Sequence, residues 1–106
     1  MKIGFIGTGN MGSSIIKGIL SSKFEKSENI NIFDLDKEKV NNLVKEYGVN
    51  TTNSEKELAE NCNIIILSVK PHIIPIVLKN LSGNVKKDTI ILTIAAGISI
   101  SVIENT

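Results

Sequence analysis

Apolar residues recur along this chain in two alternating rhythms, short unbroken runs and longer stretches with three-to-four spacing. Lys2 to Ile6 is a short run halted by glycine and reads as a buried strand. Met11, Ile15, Ile16, Ile19 and Leu20 then mark one face of a helix. After the polar connection SSKFEKSEN, Ile30, Ile32 and Phe33 make a second strand, and Val40, Leu43, Val44 and Tyr47 a second helix that Gly48 suits as a left-handed cap. A short extended Val49 to Thr51 leads to Ser54 and Glu57, spaced as a capping box for a short helix through Ala59. Ile64 to Val69 is the most apolar strand. Pro71 suits a first helical turn, and Ile73, Ile74, Val77, Leu78 and Leu81 continue it as an amphipathic helix. Thr89 to Ile94 predicts a last strand, Gly97 a turn, and Ser101 with Glu104 the start of a further helix.

Alternating strands and helices with nearly continuous apolar strands imply a parallel sheet covered on both faces, an α/β fold of three layers. At 106 residues there is room for one such domain and not for a second of ordinary size. The abrupt end at Thr106, a few residues into an expected helix, points to a fragment or a trimmed chain. A formal charge of +1, with neither sign clustered, argues against a nucleic acid or an anionic membrane as partner. Cys62 is the single cysteine, so no internal disulfide or cysteine-based metal site is expected. No apolar run is long enough to span a bilayer and no secretory signal is evident, so the expectation is a soluble cytoplasmic domain.

Glycine weakens strands and helices alike, yet GTGNMG places Gly7, Gly9 and Gly12 where a strand gives way to a helix. In that context G-x-G-x-x-G is the dinucleotide fingerprint of a Rossmann-like doubly wound sheet. Gly7 permits the tight turn, Gly9 lets backbone approach a pyrophosphate, and Gly12 allows helix and strand to pack closely. Free amides at the helix N-terminus favour the phosphate charge. Asp34 ends the second strand about 20 residues beyond the last glycine, where an acidic residue commonly binds the adenosine ribose. Asp36 is a nearby competitor, with the alternative role of capping the helix that begins at Lys37.

Two later stretches, SVKPHIIPIVL and TIAAGISI, together with IGFIGTGNMG, resemble pyrroline-5-carboxylate reductases over essentially all 106 residues. The resemblance is to the cofactor domain alone; the family continues through an M-P-N-T-P-like segment into a helical domain that dimerises and completes the substrate pocket. It implies reduction of L-1-pyrroline-5-carboxylate to L-proline with NAD(P)H, and a homo-oligomer for the full-length enzyme. By the same resemblance Ile6, Gly7, Thr8, Gly9, Asn10, Met11 and Gly12 surround the pyrophosphate. Asp34 and Asp36 take the adenosine-ribose position, and Asn53 contacts the cofactor, unless it simply caps the next helix. Ser68, Val69, Lys70 and Pro71 run along the nicotinamide ribose; Ile94, Ala95 and Ala96 sit beside the nicotinamide.

Several of these residues have plainer readings. Lys70 suits a solvated loop, His72 a surface or capping position, and Cys62 a small buried residue. No residue stands out as a general acid, so none is assigned as catalytic. All twelve basic residues are lysine; Asp34 without arginine leans toward NAD(H), whereas the family resemblance leans toward NADP(H). The alternatives are a related NAD(P)-dependent reductase, using deazaflavin or acting on small hydroxy acids, and a non-catalytic nucleotide-sensing module.

Overall fold

The computed structural model describes residues 1–7, 9–95 and 99–104. Its centre is β1 (Ile3–Ile6), which pairs in parallel with β2 (Ile30–Phe33) on one side and β4 (Ile64–Leu67) on the other. The outer strands are β3 (Asn50–Thr51), β5 (Ile90–Ala95) and β6 (Ser99–Glu104), giving the order β3-β2-β1-β4-β5-β6. The first five strands are parallel, as the alternating pattern predicts.

Strand register decides which side chains share a face. Phe5 aligns with Ile32 and Ile66, and these residues join Ile16 of α1 (Asn10–Ser21) and Val40 and Leu43 of α2 (Lys37–Tyr47) in one buried cluster. Ile6, Ile65 and Leu67 point the opposite way. They pack with Leu58 and Ala59 of α3 (Glu55–Asn61) and with Val77 and Leu81 of α4 (Ile74–Leu81). A helix pair therefore covers each face, which is why the strands carry apolar residues at successive positions. Each fully buried aliphatic side chain contributes roughly 1.5–3 kcal/mol relative to exposure.

The helix boundaries follow from local chemistry. The Asp36 carboxylate accepts from the backbone N–H groups of Glu38 and Lys39, at 3.2 and 3.3 Å, and Gly48 closes α2 at φ +72°. Ser54 caps α3 by accepting the Glu57 N–H at 3.1 Å. The segment after β4 departs from the expected continuous helix, because Pro71–Ile73 forms a 3-10 turn before α4 begins. Pro75 explains the break: it lacks the N–H that an α-helix would direct to the carbonyl of residue 71, so it is tolerated only in the first turn.

At the carboxyl terminus the helix expected from Ser101 and Glu104 is absent, and β6 pairs antiparallel with β5 instead. The residues from 98 to 102 read I-S-I-S-V, an alternation with period two that suits an edge strand and outweighs the capping pattern. Gly97, the expected turn, lies outside the described residues.

Candidate functional site

The chain leaves the carboxyl end of β1 toward α1 and β2, while β4 continues the sheet on the other side of β1. Ligands of open parallel sheets bind at such a switch point, outside the carboxyl ends of the strands. Gly7 makes the turn there at φ +85°, and its N–H donates to the Phe33 carbonyl at 2.9 Å. The Ser68 N–H donates to the Ile6 carbonyl at 2.9 Å, which holds the loop after β4 beside the turn.

The three glycines differ in what surrounds them. A Cβ on Gly7 would lie 2.5 Å from the Ser68 carbonyl oxygen, and one on Gly12 would lie 3.1 Å from Ser68 Oγ and 3.2 Å from the Gly7 carbonyl oxygen. A Cβ on Gly9 would meet, beyond its chain neighbours, no atom of the described residues within 4 Å. Gly9 is the N-cap of α1; it offers no side-chain cap, and the first turn contains no acidic residue. Exposed helix amides beside open space fit an anionic group such as a pyrophosphate.

A cleft of about 370 Å³ opens at this point. Of the residues expected from the sequence, Ile6, Gly7, Gly9 and Asp34 line it together with Ser68, Val69 and Lys70 of the loop after β4. Asp34 also accepts the Asp36 N–H at 2.9 Å, which fixes the turn into α2. Among the other expected residues, Asn10 opens α1, Gly12 is buried behind the turn, and Met11 is exposed on the helix. Asp36 is the cap of α2, Asn53 is exposed just ahead of the Ser54 cap, and Pro71 opens the 3-10 turn. Ile94 is buried among the core residues facing α1, and Ala95 is the last residue of β5. Thr8 and Ala96 lie outside the described residues.

Sequence reasoning missed half of the cleft wall. Phe33, Leu35, Ile73 and Val77 give it an apolar side, and Lys39 and Glu55 add charged groups. Leu35 had a visible signal, an apolar residue between two aspartates, and it is 84% exposed. Ile73 and Val77 carry the same helical periodicity as core residues, so spacing did not separate the two roles. Lys39 joins Lys70 in lining the cleft, whereas Lys37 lies over the Phe33 ring, 5.7 Å from its centroid.

Cys62 is fully buried beneath β1, and burial pushes its thiol up to about 11, against the opposing pull of Lys2, Lys86 and a hydrogen bond from Asn31. It is a packing residue. Among the described residues no group of three His, Cys, Asp or Glu side chains is placed to hold a metal, and no helix is long and apolar enough to cross a membrane.

The strand order, the glycine turn and the cleft define an NAD(P)-binding Rossmann domain. The chain belongs to the family described as NADP oxidoreductase coenzyme F420-dependent, whose model matches residues 2–97. It is 45% identical to pyrroline-5-carboxylate reductase 3 of Danio rerio over 98% of this chain and 36% of that protein. It is 36% identical to pyrroline-5-carboxylate reductase of Escherichia coli K12, over 93% of this chain and 37% of that one. A crystal structure of Plasmodium falciparum pyrroline carboxylate reductase with NADP bound superposes with a TM-score of 0.77 at 33% identity, covering 92% of this chain and 34% of that chain. The chain thus spans a little over a third of the length of the two curated relatives.

Proposed function

We propose that this chain is the cofactor-binding part of a pyrroline-5-carboxylate reductase, which reduces L-1-pyrroline-5-carboxylate to L-proline in the last step of proline biosynthesis. The observation that carries this reading is the Ser68–Pro71 loop folded against the glycine turn, in a chain similar over nearly its whole length to reductases of that name. Bound NADH or NADPH supplies a hydride to the electrophilic imine carbon. The residues of this chain bind and orient. Amides at the start of α1 receive the pyrophosphate at Gly9, Asp34 receives ribose hydroxyls, and Ser68, Val69 and Lys70 align the second ribose. Ile94 and Ala95, at the end of β5, support the nicotinamide, and Asn53 adds a contact from the loop before α3.

The groups that hold the substrate carboxylate and protonate the imine nitrogen belong to the part of the reductases that this chain does not span, together with the homo-oligomer contacts. The working compartment is the cytoplasm. On cofactor choice Asp34 decides for NAD(H): its carboxylate accepts from a free 2′-hydroxyl and repels a 2′-phosphate. Lys39 is an opposing charge in the cleft.

Calorimetry with NADH and NADPH tests the reading, alongside an assay for turnover of pyrroline-5-carboxylate by the 106-residue chain. Dinucleotide binding without turnover is expected. Failure to bind either dinucleotide at millimolar concentration overturns the cofactor role, and turnover by the chain alone overturns the placement of the substrate groups elsewhere. The family match favours one second reading, a deazaflavin-dependent reductase on the same domain. Saturable binding of reduced F420, competing with neither dinucleotide, would select it.

A further inference from the structure

The cleft has two chemically distinct parts. Around Gly7 and Gly9 the wall is backbone, suited to phosphate, whereas Phe33, Leu35, Ile73 and Val77 form an apolar slot suited to a flat ring. The base of a dinucleotide is the part that matches this slot. Besides Asp34, one carboxyl interrupts the apolar lining: Glu55, at the start of α3. Its Oε2 is shut off from water and has no hydrogen-bond partner among the described residues. Such an oxygen is costly to leave unmet, and a residue that packs only for stability would do better as an apolar one. An ionised carboxylate is purely an acceptor, so what it lacks is a donor.

We propose that Glu55 reads the base: its side chain turns the closed carboxylate into the cleft, where it accepts a hydrogen bond from the exocyclic amino group of adenine and so selects adenine over hypoxanthine in the bound dinucleotide. This rests on the dinucleotide reading of the cleft. Hypoxanthine places a carbonyl oxygen where adenine carries the amino group, so acceptor would face acceptor. Burial pushes the Glu55 carboxyl above the usual carboxylate range, while a hydrogen bond from Asn80 pulls it back. An arriving N–H donor acts in the same sense as Asn80.

The test is the affinity of NADH against its deamino analogue, nicotinamide hypoxanthine dinucleotide in reduced form, measured by calorimetry on the wild-type chain and on Glu55→Gln. The wild type should bind NADH at least about tenfold more tightly, as expected for a hydrogen bond to a charged acceptor. Glu55→Gln, whose amide can donate to the hypoxanthine oxygen, should reduce the gap to less than about threefold or invert it. A thermal melt of the variant confirms that it is folded, and the wild-type comparison stands without it. Equal wild-type affinities overturn the proposal and leave the dinucleotide site intact. A gap that persists in Glu55→Gln assigns the discrimination to another group and also overturns it. Absence of binding by both dinucleotides removes the underlying site as well.

Discussion

Two glycines of the first nine residues are small for opposite reasons. Gly4, in the middle of β1, lies under α3, and a Cβ there would come within 2.5 Å of Leu58 Cδ2 and 2.8 Å of Cys62 Sγ. Gly9, just past the end of the same strand, would have no atom of the described residues, its chain neighbours aside, within 4 Å of its Cβ. Its backbone, at φ −64° and ψ −175°, is one that any residue adopts. Gly4 is therefore explained by the protein itself. Nothing among the described residues requires glycine at position 9, and the requirement falls on what binds there.

The largest effect that tests this contrast is on ligand affinity. Gly9→Val should weaken NADH binding at least a hundredfold, about 2.7 kcal/mol, because the branched side chain occupies the space assigned to pyrophosphate. Its cost in stability should stay below about 1 kcal/mol, the difference between glycine and a poor N-cap. Calorimetry and thermal melting separate the two quantities. Affinity retained within about twofold would place the phosphate elsewhere.

Gly4→Ala should show the reverse signature. Leu58 and Cys62 are both fully buried, so the added methyl forces a shift in packed side chains and should destabilise the chain by about 2 kcal/mol, within the usual range for overpacking. The folded fraction should bind NADH as before, since Gly4 does not line the cleft. Denaturant unfolding followed by titration below the transition measures both. A melt unchanged from wild type would mean that α3 yields readily and that the close contact is not a constraint.

The same distinction explains what could be read in advance. Strand and helix alternation, the capping roles of Asp36, Ser54 and Gly48, and the glycine turn were legible because each leaves a local pattern in residue type and spacing. Gly4 left none: in sequence it is one glycine within an apolar strand, and its need appears only when α3 is laid across β1. The apolar wall of the cleft was hidden differently. Val77 is counted in the core and also lines the cleft, so one periodicity serves two purposes. The β6 strand was misread because S-V-I-E satisfies the spacing of a capping box while its neighbours alternate with period two, and the longer pattern prevailed.

The two aspartates that flank Leu35 repeat the comparison at smaller scale, and they give its most discriminating test. Asp34 lines the cleft, whereas Asp36 spends its carboxylate on the N–H groups of Glu38 and Lys39. The wild type should favour NADH over NADPH by at least about tenfold, near 1.4 kcal/mol. Asp34→Ser removes the charge that repels the 2′-phosphate, keeps a hydroxyl able to accept the Asp36 N–H, and leaves Lys39 and Lys70 in the cleft. The preference should narrow or reverse. Asp36→Ala should instead cost about 1 kcal/mol of stability, the usual loss for an N-cap, with the cofactor ratio unchanged. Dissociation constants for both dinucleotides in the three proteins, with melts alongside, decide between the roles. If the wild type binds NADPH more tightly, Asp34 does not hold the ribose, and Lys39 outweighs it. If Asp36→Ala shifts the ratio while the melt stays put, the two aspartates have exchanged the roles that their hydrogen bonds indicate.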